Sequence, residues 1–381
     1  MATVAERNDR LAATARRMAA EGVDLLLAAS NGFHFLDRAD AVVHLTGFRS
    51  LGESLLVLRA DGAAKLLVTP AYDAERAAAY LALCGGRFDC LATDDLAGAL
   101  ARELAGGGAA AGPLAAAGFE TLPHPLAARL MACAGKELQG FDEALFSVDP
   151  RKSAVEIERA RRATAIAERG FERLVELARP GIAECDLAVA VNGYMKSLGA
   201  DDNFLMLCAL PHNLAVMPSS TRKIQAGDTL LAELTPSFEG QFAQICRTVS
   251  IGQPPAILKE KYDLVVRAMW AGIETVRPGI PMSRVCDAID AVLKDAGYGE
   301  YCKPPHMRRR GHGLGSGSAA PGDVATNNST RLEEDMVFIV HPNQYIPETG
   351  YLMCGEPVRV TAAGVQTLSR RTAALGVIPC E

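Results

Sequence analysis

The second half of the chain contains an internal repeat, and this repeat limits the folds that the sequence can adopt. The tetrapeptide Arg-Pro-Gly-Ile occurs at 179–182 and again at 277–280, 98 residues later. Each copy follows a stretch with helical periodicity, 154–178 in the first case and 257–276 in the second. Each copy also precedes another helical stretch that stops at a glycine, 18 residues after the glycine of the tetrapeptide. The pattern predicts two α-α-β halves of one domain, and a ligand site between such halves is a natural expectation.

A change of pattern after the first third of the chain divides the sequence in two. With 381 residues the chain exceeds what one hydrophobic core usually organises, so two domains are expected. Apolar runs such as 41–45 and 54–59 are predicted as strands, and helical patterns such as 72–84 alternate with further apolar runs. This rhythm is typical of an α/β domain. We therefore predict an α/β domain over 1–148 and a second domain, which carries the repeat, over 149–381.

Composition excludes several classes of partner. The formal net charge is -6 and the pI is near 5.7, so no basic surface for nucleic acid is expected. No stretch reaches the roughly 20 apolar residues that span a bilayer. The ten cysteines form no C-x-x-C pair, and the N-terminus has no continuous apolar signal segment. These features predict a cytoplasmic protein with reduced thiols and with neither nucleic acid nor a membrane as partner.

The segment 227–252 is predicted to form a β-hairpin. It has an apolar run at 229–234, turn residues at 236–240 and a second strand pattern at 241–251. Glu233 lies within the first strand, where a buried carboxylate is costly unless it is paired or protonated. The polar side chains of the hairpin are therefore either paired with neighbouring residues, or they line a pocket.

Polar and reactive side chains continue along the second strand of this hairpin. Because side chains alternate in a strand, Gln244, Cys246 and Thr248 share one face and Arg247 points to the other. Two interpretations of Glu233 follow. It is either a site residue or one half of an ion pair with Arg247 of the opposite strand.

The order and spacing of several segments resemble the creatinase and proline-peptidase family (M24), whose pita-bread fold also occurs in methionine aminopeptidases. These segments are AVVHLTGFRSLGESLLVL, LARPGIAECDLA, FEGQFAQICRTVSIG, RGHGLG and EDMVFIVHPNQY. The resemblance covers nearly the whole length. It implies a mixed α/β (α+β) fold, with a creatinase-type amino-terminal α/β domain and a pita-bread catalytic domain built on a pseudo-twofold α-α-β repeat.

The family's peptidases hold two divalent metals with two aspartates, a histidine and two glutamates, a hard-oxygen set that activates a bridging water. The resemblance places other side chains at most of these five positions: Glu233, Gln244, His312, His341, and Gly355 or Glu356. An amide does not replace a carboxylate as a ligand of a hard cation. We therefore predict no metal and no other cofactor.

The metal-free branch of the family, creatinase and the ectoine hydrolases, opens C–N bonds with side chains alone. The catalytic histidine of creatinase falls on Val216, and its hairpin glutamate falls on Cys246. Creatinase activity itself is therefore not expected. Ectoine hydrolases resemble this chain in placing a glutamate near the first aspartate position, which makes Glu233 a candidate nucleophile or base.

Four side chains are candidates for catalysis. Besides Glu233, His312 lies between glycines that permit close approach of the backbone, and His341 ends an apolar strand. A near-neutral pKa lets histidine act as both acid and base. Cys246 is a candidate thiolate nucleophile beside Arg247, although a buried cysteine is more often a small apolar residue.

Eight further residues are candidates for substrate binding. The amide of Gln244 can donate to substrate or to Glu233, and Glu356 can orient a histidine or bind a cationic group. Arg49 corresponds to an amino-terminal loop that in this family reaches the partner subunit's active site, which implies a homodimer. The full set is Gln244, Arg247, Glu356, His212, Met217, Tyr345, Phe48 and Arg49.

The sequence thus leads to one main functional hypothesis and to alternatives. The main hypothesis is a metal-independent hydrolase that cleaves a C–N bond of amide, amidine or guanidino type in a small polar metabolite. One alternative is a lyase or a metal-dependent enzyme similar to the Xaa-Pro peptidases. The other is a catalytically inactive binding module, which the replacement of ligands by other reactive groups disfavours.

Overall fold

The computed structural model describes residues 4–33, 35–36, 38–82, 88–106, 112–135, 137–371 and 373–380. The chain divides into two compact units. The first, here called the amino-terminal unit, comprises Met1–Pro150 and Ser316–Ser318, and the second, the carboxy-terminal unit, comprises Arg151–Gly315 and Ala319–Glu381. Within the described residues no helix is both long and apolar enough to cross a membrane.

The amino-terminal unit is built on one mixed sheet with helices around it. Its helices are α1 (Val4–Ala20), α2 (Ala41–Thr46), α3 (Ala74–Ala82), α4 (Leu96–Gly106), α5 (His124–Ala134) and α6 (Asp142–Ser147). Its strands are β1 (Leu25–Ser30), β2 (Ser54–Arg59), β3 (Ala64–Val68), β4 (Phe88–Ala92), β5 (Leu114–Ala117) and β6 (Leu138–Gly140). The strand order is β4-β3-β2-β1-β5-β6, with β1, β2 and β3 antiparallel and the outer pairs parallel.

One predicted strand of this unit is a helix. The run 41–45 forms α2 because Asp40 accepts a hydrogen bond from the Val43 amide at 2.9 Å, and Gly47 ends the helix with φ of 67°. Capping at both ends thus outweighs the strand preference of two adjacent valines. The predicted helix 72–84 corresponds to α3, and the last two residues of that prediction, Leu83 and Cys84, lie outside the described residues.

The carboxy-terminal unit contains four long helices and two main sheets. The helices are α7 (Ala154–Leu177), α8 (Glu184–Ser197), α9 (Ala256–Thr275) and α10 (Ser283–Asp295). The first sheet contains β7 (Asn203–Leu210), β8 (Thr229–Phe238), β9 (Gln241–Phe242), β10 (Ile245–Ile251) and, from the end of the chain, β17 (Gly376–Ile378). The second contains β11 (Gly311–Gly313), β12 (Val337–Val340), β15 (Glu356–Thr361) and β16 (Gly364–Thr367), and a separate hairpin contains β13 (Gln344–Ile346) and β14 (Gly350–Leu352).

The internal repeat of the sequence appears as two matching helix pairs, each leading into a sheet. The glycines of the two tetrapeptides, Gly181 and Gly279, both adopt positive φ, at 92° and 88°. The stop glycines Gly199 and Gly297 do the same after α8 and α10, at 101° and 92°. Glycine adopts this left-handed conformation without steric cost, so each helix ends where the sequence predicts.

The predicted hairpin is formed by β8 and β10, but its turn is shorter than expected. The chain continues as strand through Pro236 and reverses at Glu239 and Gly240, which have φ of 46° and 82°. Pro236 is compatible with the strand because its carbonyl still accepts a hydrogen bond, from the amide of Ala243 at 3.1 Å. The polar positions of the hairpin consequently lie within regular strand or next to it.

Candidate functional site

Side-chain alternation gives both main sheets of the carboxy-terminal unit a helix face and an opposite face. On β8, Leu230 and Leu234 belong to the core that includes α7 and α8, so Glu233 lies on the opposite face. On β12, Phe338 and Val340 belong to the core that includes α9 and α10. We call the face that points away from these helices the site face.

Glu233 and Gln244 meet on the site face. Glu233 is directly opposite Cys246 in the β8–β10 register, and the side-chain amide of Gln244 donates a hydrogen bond to Glu233 Oε1. Gln244 is 1% exposed, and its own Oε1 has no hydrogen-bond partner among the described residues. An unpaired buried amide oxygen costs roughly 1–3 kcal/mol, so this oxygen is available to accept from a bound molecule.

The two predicted histidines also meet. His312 on β11 and His341 at the end of β12 have ring centroids 5.3 Å apart in an edge-to-face arrangement. The His341 amide donates to the carbonyl of Arg310 at 2.9 Å, which fixes the backbone beyond β12. Burial lowers the pKa of His341 well below its usual 6.5, and the neighbouring His312 lowers it further. His341 is therefore a neutral imidazole near pH 7, and its buried Nδ1 has no hydrogen-bond partner in the described part of the chain.

Gly355 joins the histidines to the hairpin. Its backbone pairs with that of Cys246 through two hydrogen bonds, of 3.1 and 3.4 Å. A Cβ atom at Gly355 would lie 2.7 Å from His341 Cβ and 3.2 Å from Cys246 Cβ. A glycine is thus required here, because the close packing of His341 on the Cys246 strand leaves no space for a side chain. The predicted candidates Glu233, Gln244, Cys246, His312 and His341 consequently form one continuous cluster.

Two members of the cluster were not among the candidates from the sequence. The side-chain amide of Asn343 lies 3.9 Å from Cys246 Sγ, and Asn343 Oδ1 is buried without a partner among the described residues. Burial, followed by the charge of Glu233, raises the pKa of the Tyr351 phenol. Asn343 has a sequence signal, since it follows His-Pro and asparagine is a common turn residue, and in the structure it adopts a positive φ of 28°. Tyr351 has no such signal, because it lies in a three-residue strand with no periodic pattern.

Cys246 does not have the properties of a thiolate nucleophile. Its side chain is fully buried, and burial raises the pKa of the thiol well above its usual range. The nearby carboxylate of Glu233 raises it further, and this outweighs the opposing effect of Arg247. A thiol must ionise to attack, so Cys246 serves as a small buried side chain beside Glu233 on the site face.

Arg247 and Glu356, both predicted to bind substrate, lie on the helix face instead. Their side chains are 3% and 1% exposed, and Arg247 Nη2 is 2.9 Å from Glu356 Oε1. Each alternates with a site-face residue, Cys246 in β10 and Gly355 before β15, so both point away from Glu233. The structure thus corrects the prediction for these two residues. It also shows that Arg247 pairs with Glu356 on the face opposite Glu233.

His212, Tyr345 and Met217 occupy more exposed positions. His212 Nε2 is 3.3 Å from the Tyr345 hydroxyl, and the Tyr345 ring also stacks on His306. Tyr345 is directly opposite Tyr351 across β13 and β14, so these two rings share a face and connect the exposed pair to the cluster. Met217 is 55% exposed, and its described contact is a hydrogen bond from its amide to Cys208 Sγ.

The two candidates of the amino-terminal unit have different environments. Phe48 is 2% exposed and packs against the Tyr80 ring at 5.1 Å and the Arg76 guanidinium at 4.6 Å. It is a core residue of its unit, so the structure does not support the predicted role in binding substrate. Arg49 is exposed, and its Nε donates to the Gly32 carbonyl at 3.1 Å.

The residues of the cluster do not fit the pair of divalent metals that the resemblance implies. Gln244 directs its amide nitrogen, which cannot bind a cation, at Glu233. Gly355 has no side chain, and Glu356 points to the opposite face. No three His, Cys, Asp or Glu side chains of the described residues are arranged to hold a metal ion.

Comparisons with known proteins agree on the family. A family model described as metallopeptidase family M24 matches residues 158–362. An uncharacterized peptidase of Bacillus subtilis, YqhT, is 33% identical over 229 residues, which are 57% of this chain and 62% of that relative. The chain thus spans less than two thirds of the length of this relative.

Two solved structures resemble the whole chain. Dipeptidase PepE from Mycobacterium ulcerans is 25% identical with a TM-score of 0.82, and the match covers 100% of both chains. Prolidase from Pyrococcus horikoshii is 22% identical with a TM-score of 0.82, over 96% of this chain and 99% of that one. These similarities confirm the predicted mixed α/β, pita-bread fold.

The comparisons overturn the main functional hypothesis from the sequence. The similar proteins are named as peptidases, a dipeptidase and a prolidase. The prediction of a metal-independent hydrolase acting on a non-peptide C–N bond is therefore wrong. The alternative of an enzyme similar to the Xaa-Pro peptidases agrees better with these findings.

Proposed function

This chain belongs to metallopeptidase family M24, and we propose on that premise that it hydrolyses the amide bond of a short peptide. The observation that carries the proposal is the cluster on the site face, where a half-buried carboxylate, two buried imidazoles and a half-buried phenol converge. The similarity to dipeptidase PepE from Mycobacterium ulcerans extends over the full length of both chains, which favours a substrate of dipeptide size.

Glu233 is the group we assign to activating water. A carboxylate has about four lone-pair sites, so Glu233 can accept a proton from water while it accepts the hydrogen bond from Gln244. Gln244 in turn orients the carboxylate and keeps its own Oε1 free for the substrate. The amide nitrogen of a peptide is a donor that this oxygen suits.

His341 and Tyr351 are the groups we assign to the other proton transfers. His341 is neutral, and its Nδ1 has no partner among the described residues, so this nitrogen can take up the proton that water has lost to Glu233 and pass it to the leaving amine. Because the pKa of Tyr351 is raised, its hydroxyl stays protonated and can donate to the oxygen that becomes negative during attack.

We also propose that the enzyme is a homodimer. The proposal rests on Arg49, whose exposed position fits the loop that the family resemblance assigns to the partner subunit's site. Analytical ultracentrifugation should give twice the mass of 40.3 kDa. A monomer at micromolar concentration would contradict this proposal and leave the assignment of the cluster unaffected.

An assay on a panel of dipeptides, including Xaa-Pro dipeptides, tests the proposed activity. Glu233→Gln should lower kcat by at least ~100-fold, since it removes the base and keeps the size of the side chain. Glu334→Gln is the matched control, because Glu334 is an exposed glutamate in the turn before β12. Absence of dipeptide hydrolysis, or full activity in Glu233→Gln, would contradict the assignment.

A further inference from the structure

The helix face of β10 borders a cavity that the proposed activity does not use. Its volume is about 370 Å³, within the range of small-molecule sites. Helix α7 forms one wall, β10 forms another, and the segment at and before β17 forms a third, so that the cavity is partly open to solvent. The apolar part of the lining consists of Phe171, Val175, Ile245, Ala374 and Leu375.

The charged groups that line the cavity already have partners inside the protein. Glu168 accepts hydrogen bonds at 2.8 Å from the amides of Arg370 and Arg371. Glu172 pairs with the guanidinium groups of Arg169 and Arg371. Since positive and negative groups are balanced and paired, the cavity offers an ionic ligand no unmatched charge.

What the cavity does offer is apolar surface, including the aromatic ring of Phe171. The guanidinium carbon of Arg247 lies 5.9 Å from the centroid of this ring, at the inner end of the cavity. Although four charged residues also line the cavity, apolar atoms form the larger part of its surface, and such surface favours a small aromatic molecule over ordered water. The ligand class that matches this lining is therefore a small uncharged aromatic molecule.

Arg247 connects the cavity to the active site. Its Nη1 donates to the carbonyls of Cys246 at 3.0 Å and Gly355 at 2.8 Å. These are the two carbonyls that pair Cys246 with Gly355, and Gly355 packs directly against His341. A molecule that immobilises Arg247 from the cavity would hold this pair of hydrogen bonds more firmly.

We propose that this cavity is a binding site for a small uncharged aromatic molecule, and that Arg247 transmits its occupancy to the pairing of Cys246 with Gly355. The proposal does not depend on the hydrolysis of peptides. It concerns a site on the opposite side of β10 from Glu233, and its test requires no substrate.

Thermal unfolding of the full chain with toluene or indole tests the binding. A ligand of the native state raises the unfolding temperature, by about 2 °C for a protein of this size. Val175→Trp fills the cavity from α7 and should abolish the rise. Ala165→Trp is the control, because it introduces the same side chain at an exposed position of the same helix. In this variant the ligand should still raise the unfolding temperature. If Val175→Trp does not fold, the exposed Ala374→Trp, at the rim of the cavity, takes its place.

Hydrogen exchange tests the connection. Toluene should slow the hydrogen exchange of the Cys246 and Gly355 amides several-fold in the wild type. In Val175→Trp or Ala374→Trp, toluene should leave the exchange rates of these two amides unchanged. No rise in the unfolding temperature of the wild type, or an equal rise in the filled variants, would overturn the binding site. Binding without slower exchange at these two amides would overturn the role of Arg247.

Discussion

The two faces of the β8–β10 hairpin both contact buried polar side chains, and the two sets differ in whether their polar atoms have partners. On the helix face, Arg247 forms an ion pair with Glu356 and donates to two carbonyls. On the site face, Gln244 Oε1 is buried without a partner in the described chain, as is Nδ1 of the nearby His341. Two buried charges that pair with each other offset most of their desolvation cost, whereas an unpaired buried polar atom is maintained at a cost and suits a site that awaits a ligand.

The largest effect should come from breaking the pair on the helix face. Arg247→Met leaves the carboxylate of Glu356 buried without its cation and should destabilise the fold by about 3–5 kcal/mol. Urea unfolding measures this loss. Arg173→Met is the control, since Arg173 and Glu176 form an exposed pair, and it should cost less than about 1 kcal/mol.

A double variant sharpens the same prediction. Arg247→Met combined with Glu356→Met removes both charges and should recover most of the lost stability. If the double variant is as unstable as the single one, the hydrogen bonds of Arg247 to the two carbonyls, rather than its charge pairing, stabilise this face.

The next largest effect is expected on the site face and in activity rather than stability. His341→Gln should lower kcat for dipeptide hydrolysis by about 100-fold, equivalent to ~2.7 kcal/mol of activation free energy, because it removes a proton acceptor. Circular dichroism should show little change in unfolding temperature. A large loss of stability with normal kcat would mean that His341 has a structural role. The two faces would then not differ in function as proposed.

A smaller effect should appear in the dependence of stability on pH. The folded-state pKa of His341 is lowered, so between that value and 6.5 the unfolded chain binds more protons than the folded one. The contribution of His341 to the free energy of unfolding is therefore fully present above pH 6.5. It decreases as the pH falls below 6.5, by at most about 1.4 kcal/mol per pH unit. The free energy of unfolding, measured with urea at several pH values, should decrease less steeply with falling pH in His341→Gln than in the wild type. His212→Gln, which changes an exposed histidine, should match the wild type.

The smallest effect is expected at Cys246. Because its thiol is protonated at neutral pH, Cys246→Ala should keep kcat within about threefold of the wild type. Iodoacetamide should leave the native enzyme active. Inactivation by iodoacetamide together with a large loss of kcat in Cys246→Ala would restore the nucleophile hypothesis.

The candidate site was only partly predictable from the sequence. Glu233, Gln244, His312 and His341 were predicted as candidates because the family resemblance fixes positions along the chain, and the structure places these candidates close together. Asn343, Tyr351 and the packing role of Gly355 were missed, since each depends on contacts with a strand about 100 residues away. The roles assigned to Arg247 and Glu356 failed for a related reason. Alternation shows which side of a strand a residue faces, but not which side holds the site.

The sequence by itself determined the repeated helix pairs, their glycine ends and the hairpin, while the family was indicated by the resemblance of several segments. The helices, their ends and the hairpin depend on periodicity and on local conformational preferences, which act over a few residues. Only the tertiary structure decided that Gly355 packs between His341 and Cys246, and that Arg247 pairs with Glu356 across 109 positions of the chain. The physical reason is that buried polar groups are satisfied by whichever partner the packed sheets bring near, and no local pattern encodes that partner.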